Sequence, residues 1–243
     1  MSDYHSQTRA VPGTADMAVD AGLRSFMLGV YNKMALGLLL SATLAWVAAN
    51  VPPITALVFG TPLYFVFAFG PIVLLLISSF AMRNPSPTAA NLIYWSVVSM
   101  LGVSLGSILL TYGVVADGMT TIVKAFLITA LTFGSLSLWG YTTKRDLTGM
   151  GNFLIMGVIG LLIAMIVNLF LKSSAMGFAI SILGVLIFTG LTAYDTQKIK
   201  GMYDASDDGE TMTKKGILGA LNLYLDFINI FIFLLQLMGA RKD

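Results

Sequence analysis

The sequence has little of what soluble enzymes and metal proteins use for chemistry. Its 243 residues include no cysteine, one histidine (His5) and one glutamate (Glu210), and only 11% of them are charged, against about 25% in an average soluble domain. So little charge excludes a water-facing globular fold of this length. The lack of cysteine and of further histidine excludes structural zinc sites, histidine-ligated haem, and cysteine–histidine or serine–histidine nucleophilic pairs.

Hydrophobic residues dominate the chain instead, at 57% of the total, with a mean hydropathy of +0.85. A helix needs about 20 mostly apolar residues to cross the hydrocarbon core of a bilayer. The second candidate stretch is the least defined, because Pro52, Pro53, Pro62 and Pro71 leave its start open and can kink it. We predict an all-α membrane protein, a seven-transmembrane-helix bundle with spans at 26–49, 62–82, 89–111, 121–141, 153–171, 175–194 and 217–238.

The rest of the chain leaves no room for a soluble second domain. Residues 1–24 have no apolar segment followed by a cleavage-like pattern, so they are interpreted as a flexible polar N-terminal tail rather than a signal peptide. Residues 25–243 then form a single membrane domain, whose longest connection is expected at 198–215. Gly102 and Gly106 form a GxxxG pair of the kind that lets helices approach closely in lipid. We interpret them as packing positions within one bundle and expect a functional monomer.

The basic residues indicate the orientation, because Lys and Arg near span ends favour the cytoplasmic side. With the N-terminus inside, ten basic residues fall on that side and four on the other. Two of those four, Arg241 and Lys242, follow the last span, so a re-entrant last helix stays an alternative to a full crossing. A net charge of +2 without a clustered basic face gives no footprint for nucleic acid.

Two aspartates lie within or at the end of predicted spans, where a charged group costs about 2.5–3.5 kcal/mol to insert. Asp195 is at the cytoplasmic end of the sixth span, and Asp226 is well inside the seventh. Asn222, Asp226 and Asn229 recur at i, i+4 and i+7, which puts a polar stripe on one face of the seventh helix. The simplest arrangement buries this stripe in the bundle interior, so we predict that the last helix is central.

The short connection between the last two spans favours antiparallel neighbours, so the carboxyls of Asp195 and Asp226 could meet. Two carboxyls in contact can share one proton, which would make a pH-sensitive switch. Deprotonated, they would present oxygen ligands of the type that Ca²⁺ accepts, on an ion path lined by Asn222, Asn229 and Thr192. The alternative is a structural ion pair, of Asp195 with Lys198 or of Asp226 with Arg83.

The last two spans also carry a specific sequence pattern. It reads TAYDTQK at 192–198, ALNLYLDFINIF at 220–231 and LLQ at 234–236. This pattern resembles the Bax inhibitor-1 family, also called the transmembrane Bax inhibitor motif family, in its bacterial branch. The diagnostic residues are confined to the C-terminal third, while span count and loop length agree over the whole hydrophobic region.

The resemblance implies a bundle in which six helices surround the last one, and a pH-dependent Ca²⁺ leak through it. It implies that Asp195 and Asp226 are the pH sensor and that Arg83 is a candidate latch on that sensor. Calcium is then a transported ion, held transiently by the two aspartates, and no cofactor is expected. The expected location is the bacterial inner membrane, with the N-terminus in the cytoplasm.

Two other classes of function stay open. Some bacterial members of the family are thought to regulate a membrane-anchored ATP-dependent protease without being enzymes, and nothing in this sequence excludes that role. An intramembrane aspartyl protease also uses two aspartates on neighbouring helices. This chain lacks the glycines such enzymes place before the second aspartate, so we expect no enzymatic activity.

Overall fold

The computed structural model describes residues 12–81 and 85–239, with side chains at 21–78 and 85–239. Within these ranges the regular structure is all α-helical. The fold class predicted from composition and hydropathy is therefore confirmed at the level of an all-α membrane protein. The helices are α1 (Pro12–Asn50), α2 (Pro52–Phe59), α3 (Leu63–Ala81), α4 (Pro87–Gly113), α5 (Gly118–Thr142), α6 (Thr148–Leu171), α7 (Ser174–Met202) and α8 (Gly209–Gly239).

Six of the described helices are long and apolar enough to cross a membrane, and a seventh span exists if α2 and α3 cross together. These two helices are bent by 68° at a short break. Pro52 and Pro53 occupy the first two positions of α2, where a missing N–H is tolerated. Pro71 lies inside α3 without ending it. The second predicted span, 62–82, thus corresponds to α3 alone, and the short helix α2 precedes it where the prolines had left the start open.

The N-terminal helix begins well before the boundary predicted at residue 24. α1 starts at Pro12, and residues 1–11 lie outside the described part of the chain. Phe26 is buried, and its ring packs against Tyr203 with a centroid distance of 5.8 Å. Contact with the end of α7 therefore ties the start of the first span to the bundle.

The polar stretch at 198–215 is mostly helical, although the sequence predicted a long connection there. α7 continues to Met202 and α8 begins at Gly209, with Glu210 in its first turn. Ile199 is completely buried and packs against Gly219. This packing between the two helix ends stabilises residues whose polarity alone indicated a loop.

The last helix is the most buried of the candidate spans. In its most apolar 18-residue window 67% of residues are buried, against at most 28% in the other spans. It contacts α1, α4, α5 and α7, and Leu223, Tyr224 and Ile230 are completely buried. A helix that carries a carboxyl at membrane depth is expected to turn that face toward protein rather than lipid. α6 is the opposite case, with 6% of its window buried.

Small residues permit close packing between α1 and α4. A Cβ atom on Gly102 would collide with the backbone of Ser41, and one on Gly106 would crowd the carbonyl oxygen of Ala45. The interpretation of this GxxxG pair as a packing seam within one bundle is confirmed. The same kind of contact joins α5 to α7, where Gly140 lies against the backbone of Ala193.

Candidate functional site

The two helices that carry the intramembrane aspartates run antiparallel and pack along their length. At one end Gly184 lies against Phe233, and at the other Ile199 lies against Gly219. Residue numbers therefore rise along α7 while they fall along α8, which confirms that these helices are antiparallel neighbours. Asp195 and Asp226 lie between these two contacts.

The structure brings the side chains of Asp195 and Asp226 together, close enough for a hydrogen bond between their carboxyl groups. Asp226 is 4% exposed, and Asp195 is half-buried. The Oδ2 atom of Asp226 is buried and accepts no hydrogen bond from the described residues. The buried carboxyl of Asp226 therefore lies beside the carboxyl of Asp195, and its Oδ2 atom lies beside no hydrogen-bond donor of the described residues.

Neither aspartate forms a salt bridge with a described basic residue. Within the described ranges the one ion pair joins Lys215 to Asp207, at the α7–α8 connection. Lys198 is near enough to act electrostatically on Asp195, but its Nζ lies 5.8 Å from the centre of the Tyr194 ring. The alternative of a tight Asp195–Lys198 pair is therefore not formed. Arg83 lies outside the described residues.

The other predicted path residues lie on the same two helices. Thr192 is completely buried, and its hydroxyl donates to the carbonyl of Phe188 at 2.9 Å. The Nδ2 of half-buried Asn229 donates to the carbonyl of Leu225 at 2.8 Å. Asn222 is half-buried. The donors of Thr192 and Asn229 thus bond within their own helices rather than across the interface.

The described residues contain no group of three or more histidine, cysteine, aspartate or glutamate side chains that could hold a metal ion. Calcium takes six to eight oxygen ligands in proteins. Asp195 and Asp226 alone supply too few carboxylate oxygens for such a shell. A calcium ion at this pair would need amide, carbonyl or water oxygens as well.

A chain of hydroxyl groups, which the sequence did not indicate, joins three helices next to the aspartates. Tyr31 of α1 hydrogen-bonds to Ser137 of α5, and Ser137 hydrogen-bonds to Thr196 of α7 at 2.9 Å. Thr196 follows Asp195 directly and is completely buried. Polar residues within apolar spans are the sequence signal for such a network, but their partners depend on the packing of distant segments.

Gln197 is a second residue whose role could not be read from the sequence. Its Oε1 accepts the N–H of Leu147 at 2.8 Å, and its Nε2 donates to the carbonyl of Arg145 at 2.7 Å. These two bonds attach the α5–α6 connection to α7 at Gln197. The residues that follow Asp195 are therefore fixed to two neighbouring elements: Thr196 bonds to α5, and Gln197 bonds to the α5–α6 connection.

Six long apolar helices in the described part of the chain, with a buried and a half-buried acid between the last two, define the chain as an integral, multi-pass membrane protein. It belongs to the Bax inhibitor family, because the family model described as "Inhibitor of apoptosis-promoting Bax1" matches residues 23–243. The family predicted from the pattern of the last two spans is therefore confirmed.

Bacterial relatives align over most or all of the chain. An "Uncharacterized protein" of Caulobacter vibrioides is 51% identical, with both chains fully covered. The "Inner membrane protein YbhL" of Escherichia coli is 41% identical over 91% of this chain and 94% of its own. An "Uncharacterized membrane protein" of Streptococcus pyogenes is 34% identical over 92% of this chain and 96% of its own. The last two names state a membrane location, and none of the three states an activity.

Proposed function

We propose that this chain is a pH-sensitive leak channel for calcium whose gate is the pair Asp195 and Asp226. The observation that carries the proposal is the contact between a buried carboxyl and a second carboxyl, without a salt bridge to any described basic residue. An ionisable group at membrane depth is costly unless it has a partner or a function. A shared proton removes part of that cost, and loss of the proton restores it.

The chemistry of the pair links protons to cations. With one shared proton the two carboxyls hold α7 and α8 together at this level. Without that proton, the repulsion between them favours separation of the helices, and their oxygens then attract a divalent cation. Asn222, Asn229 and Thr192, on the same helices, supply amide and hydroxyl oxygens along the proposed path. Arg83 is the proposed latch, as a cation that competes for the same carboxylates.

The proposed architecture has seven spans. The bent pair α2 and α3 crosses as one broken span, and α8 is surrounded by the other helices. The N-terminus lies in the cytoplasm of a bacterial cell and the bundle lies in the inner membrane. The excess of basic residues on one side supports this orientation, and the burial of α8 supports its central place.

The test is calcium flux into proteoliposomes that hold a trapped calcium indicator. Flux is measured from mildly acidic to mildly alkaline pH for the unaltered chain and for Asp195→Asn and Asp226→Asn. We expect flux that changes with pH in the unaltered chain and a flat pH profile in either variant, because asparagine keeps the shape of the side chain but cannot titrate. Asp146→Asn is the matched control, since Asp146 is an exposed loop aspartate.

Two results would contradict the proposal. One is a pH profile in Asp226→Asn that equals that of Asp146→Asn. The other is no flux above empty liposomes in protein that is shown to be folded. The second result would favour the non-enzymatic regulator of a membrane-anchored ATP-dependent protease. That role predicts capture of the protease by the intact chain and loss of capture on deletion of residues 2–20.

A further inference from the structure

A crevice of about 440 Å³ lies between α1 and α5, on the side of the bundle that carries the hydroxyl chain. Its volume is within the range of about 300–1,000 Å³ that is typical of small-molecule sites. Its rim includes Leu28 and Leu138, which are 51% and 64% exposed and which a membrane protein turns toward lipid. Six of its lining residues are Arg24, Met27, Tyr31, Phe133, Gly134 and Tyr141.

Gly134 creates part of this space. A Cβ atom on Gly134 would meet nothing within 4 Å, so packing does not explain the glycine. Glycine is also disfavoured in a helix interior. Gly140 of the same helix differs, because it lies against the backbone of α7. The side of α5 at Gly134 is therefore open where it lines the crevice.

The walls of the crevice are apolar, and its polar groups lie at defined places. The Tyr31 and Ser137 hydroxyls hydrogen-bond to each other. Arg24 is exposed and forms no salt bridge with any described residue. Arg24 and Tyr141 mark one end of the crevice, because Tyr31 pairs with Ser137 further along both helices. The crevice thus combines an apolar body with the guanidinium of Arg24 at one end. Lys200 also approaches this end, but its Nζ donates to the carbonyl of Tyr141 at 2.8 Å.

We propose that this crevice binds one anionic glycerophospholipid, with an acyl chain against Phe133 and Gly134 and the phosphate at Arg24. An apolar cavity that opens toward lipid and ends at a guanidinium without a salt bridge to any described residue is complementary to a molecule with an apolar tail and an anionic head. Arginine matches the geometry of phosphate oxygens with paired N–H donors. This site lies outside the aspartate pair and does not depend on the proposed calcium leak.

The test is native mass spectrometry of the purified, delipidated full chain, titrated with dioleoyl phosphatidylglycerol or dioleoyl phosphatidylcholine. We expect the unaltered chain to bind the first phosphatidylglycerol about fivefold more tightly, the usual contribution of one basic residue to binding of an anionic lipid. Arg24→Gln should abolish this preference while the affinity for phosphatidylcholine stays unchanged. Gly134→Leu should weaken binding of both lipids at this site by at least about tenfold, because the side chain fills the apolar body.

The chain offers matched controls for both changes. Lys144→Gln removes an exposed basic charge of the α5–α6 connection, and Gly149→Leu adds the same side chain at an exposed helical glycine that also has open space around it. Neither control should alter the preference or the affinity. Equal affinity for the two lipids in the unaltered chain would overturn the proposal. The proposal would also be overturned if Gly134→Leu and Gly149→Leu bound the lipids with equal affinity. Size-exclusion chromatography would first show that both variants are folded.

Discussion

At the scale of single residues, hydrogen-bond donors separate the aspartates into two kinds. Asp208 precedes α8, and its Oδ1 accepts the N–H of Thr211 at 2.6 Å, which is the geometry of a helix N-cap. Asp226, inside the same helix, has a buried oxygen with no donor among the described residues. The carboxylate of Asp208 is therefore stabilised as an anion by its hydrogen bond, whereas the carboxyl of Asp226 lies beside the carboxyl of Asp195.

Asp208 gives a prediction about pH. The backbone N–H of Thr211, then its hydroxyl, holds the pKa of Asp208 below its ordinary value. A carboxyl with a lowered pKa in the folded state stabilises the fold above the ordinary pKa of about 3.9, and that stabilisation is lost as the pH falls further. We expect Asp208→Asn to keep the cap and to lose less thermal stability than the unaltered chain between pH 5 and about pH 3. The measurement is the melting temperature in detergent against pH.

The control for Asp208 is Asp117→Asn, at a helix start where the side chain makes no cap hydrogen bond. Its melting temperature should follow that of the unaltered chain over the same pH range. If Asp208→Asn and the unaltered chain gave parallel curves, the cap would not be coupled to the titration of this residue.

At the scale of elements, the packing of α5 shows that identical residues on one helix have opposite roles. Gly140 allows the helix to touch the backbone of α7 beside Thr192 and Asp195, whereas Gly134 faces open space. Gly134 lies in the interior of this helix and Gly140 in its last turn, and the helix preference of alanine over glycine is favourable or neutral at both positions. A change of opposite sign at Gly140 therefore reports tertiary contact.

Alanine at these two glycines should change stability in opposite directions. Gly140→Ala places a methyl group against the Ala193 backbone, and overpacking of this kind costs about 1–3 kcal/mol. Gly134→Ala meets no atom and gains up to about 1 kcal/mol from the preference of alanine for helix. The measurement is the melting temperature of the two purified variants in the same detergent. Equal shifts in both variants would argue against close α5–α7 packing.

At the scale of the whole molecule, the bent pair α2 and α3 decides the topology. If the pair crosses the membrane as one broken span, the chain has seven crossings, and its ends lie on opposite sides. If the pair enters and leaves on the same side, six crossings remain. The chain has no cysteine, so cysteines can be introduced singly without background.

We predict that Asn50→Cys and Val114→Cys react with a membrane-impermeant maleimide from the same side, and that Ala205→Cys reacts from the other. Two crossings separate residues 50 and 114 if the bent pair spans, and only one if it does not. Three helices separate residues 114 and 205 in both cases, so Ala205→Cys is the internal control. The measurement compares intact cells with inverted vesicles, and residues 50 and 114 reacting from opposite sides would show that the pair does not cross.

The sequence alone determined the class of the protein and its family. Scarce charge and long apolar stretches can be satisfied only by helices in a bilayer, since no water is there to bond an exposed backbone. The positions of Asp195 and Asp226 were also readable, because a carboxyl in an apolar stretch stands out whatever the packing. The pattern of the last two spans carried enough specific residues to predict the Bax inhibitor family.

Only the tertiary structure decided what depends on contacts between distant segments. It placed the short helix α2 before the second predicted span, and it extended α7 and α8 into 198–215, where polarity had indicated a loop, because Ile199 is buried against Gly219. It gave Gln197 and Thr196 their partners and gave Gly134 and Gly140 their different surroundings. Periodicity describes one helix at a time, whereas the neighbour of a side chain is set by how helices pack, which hydropathy does not encode.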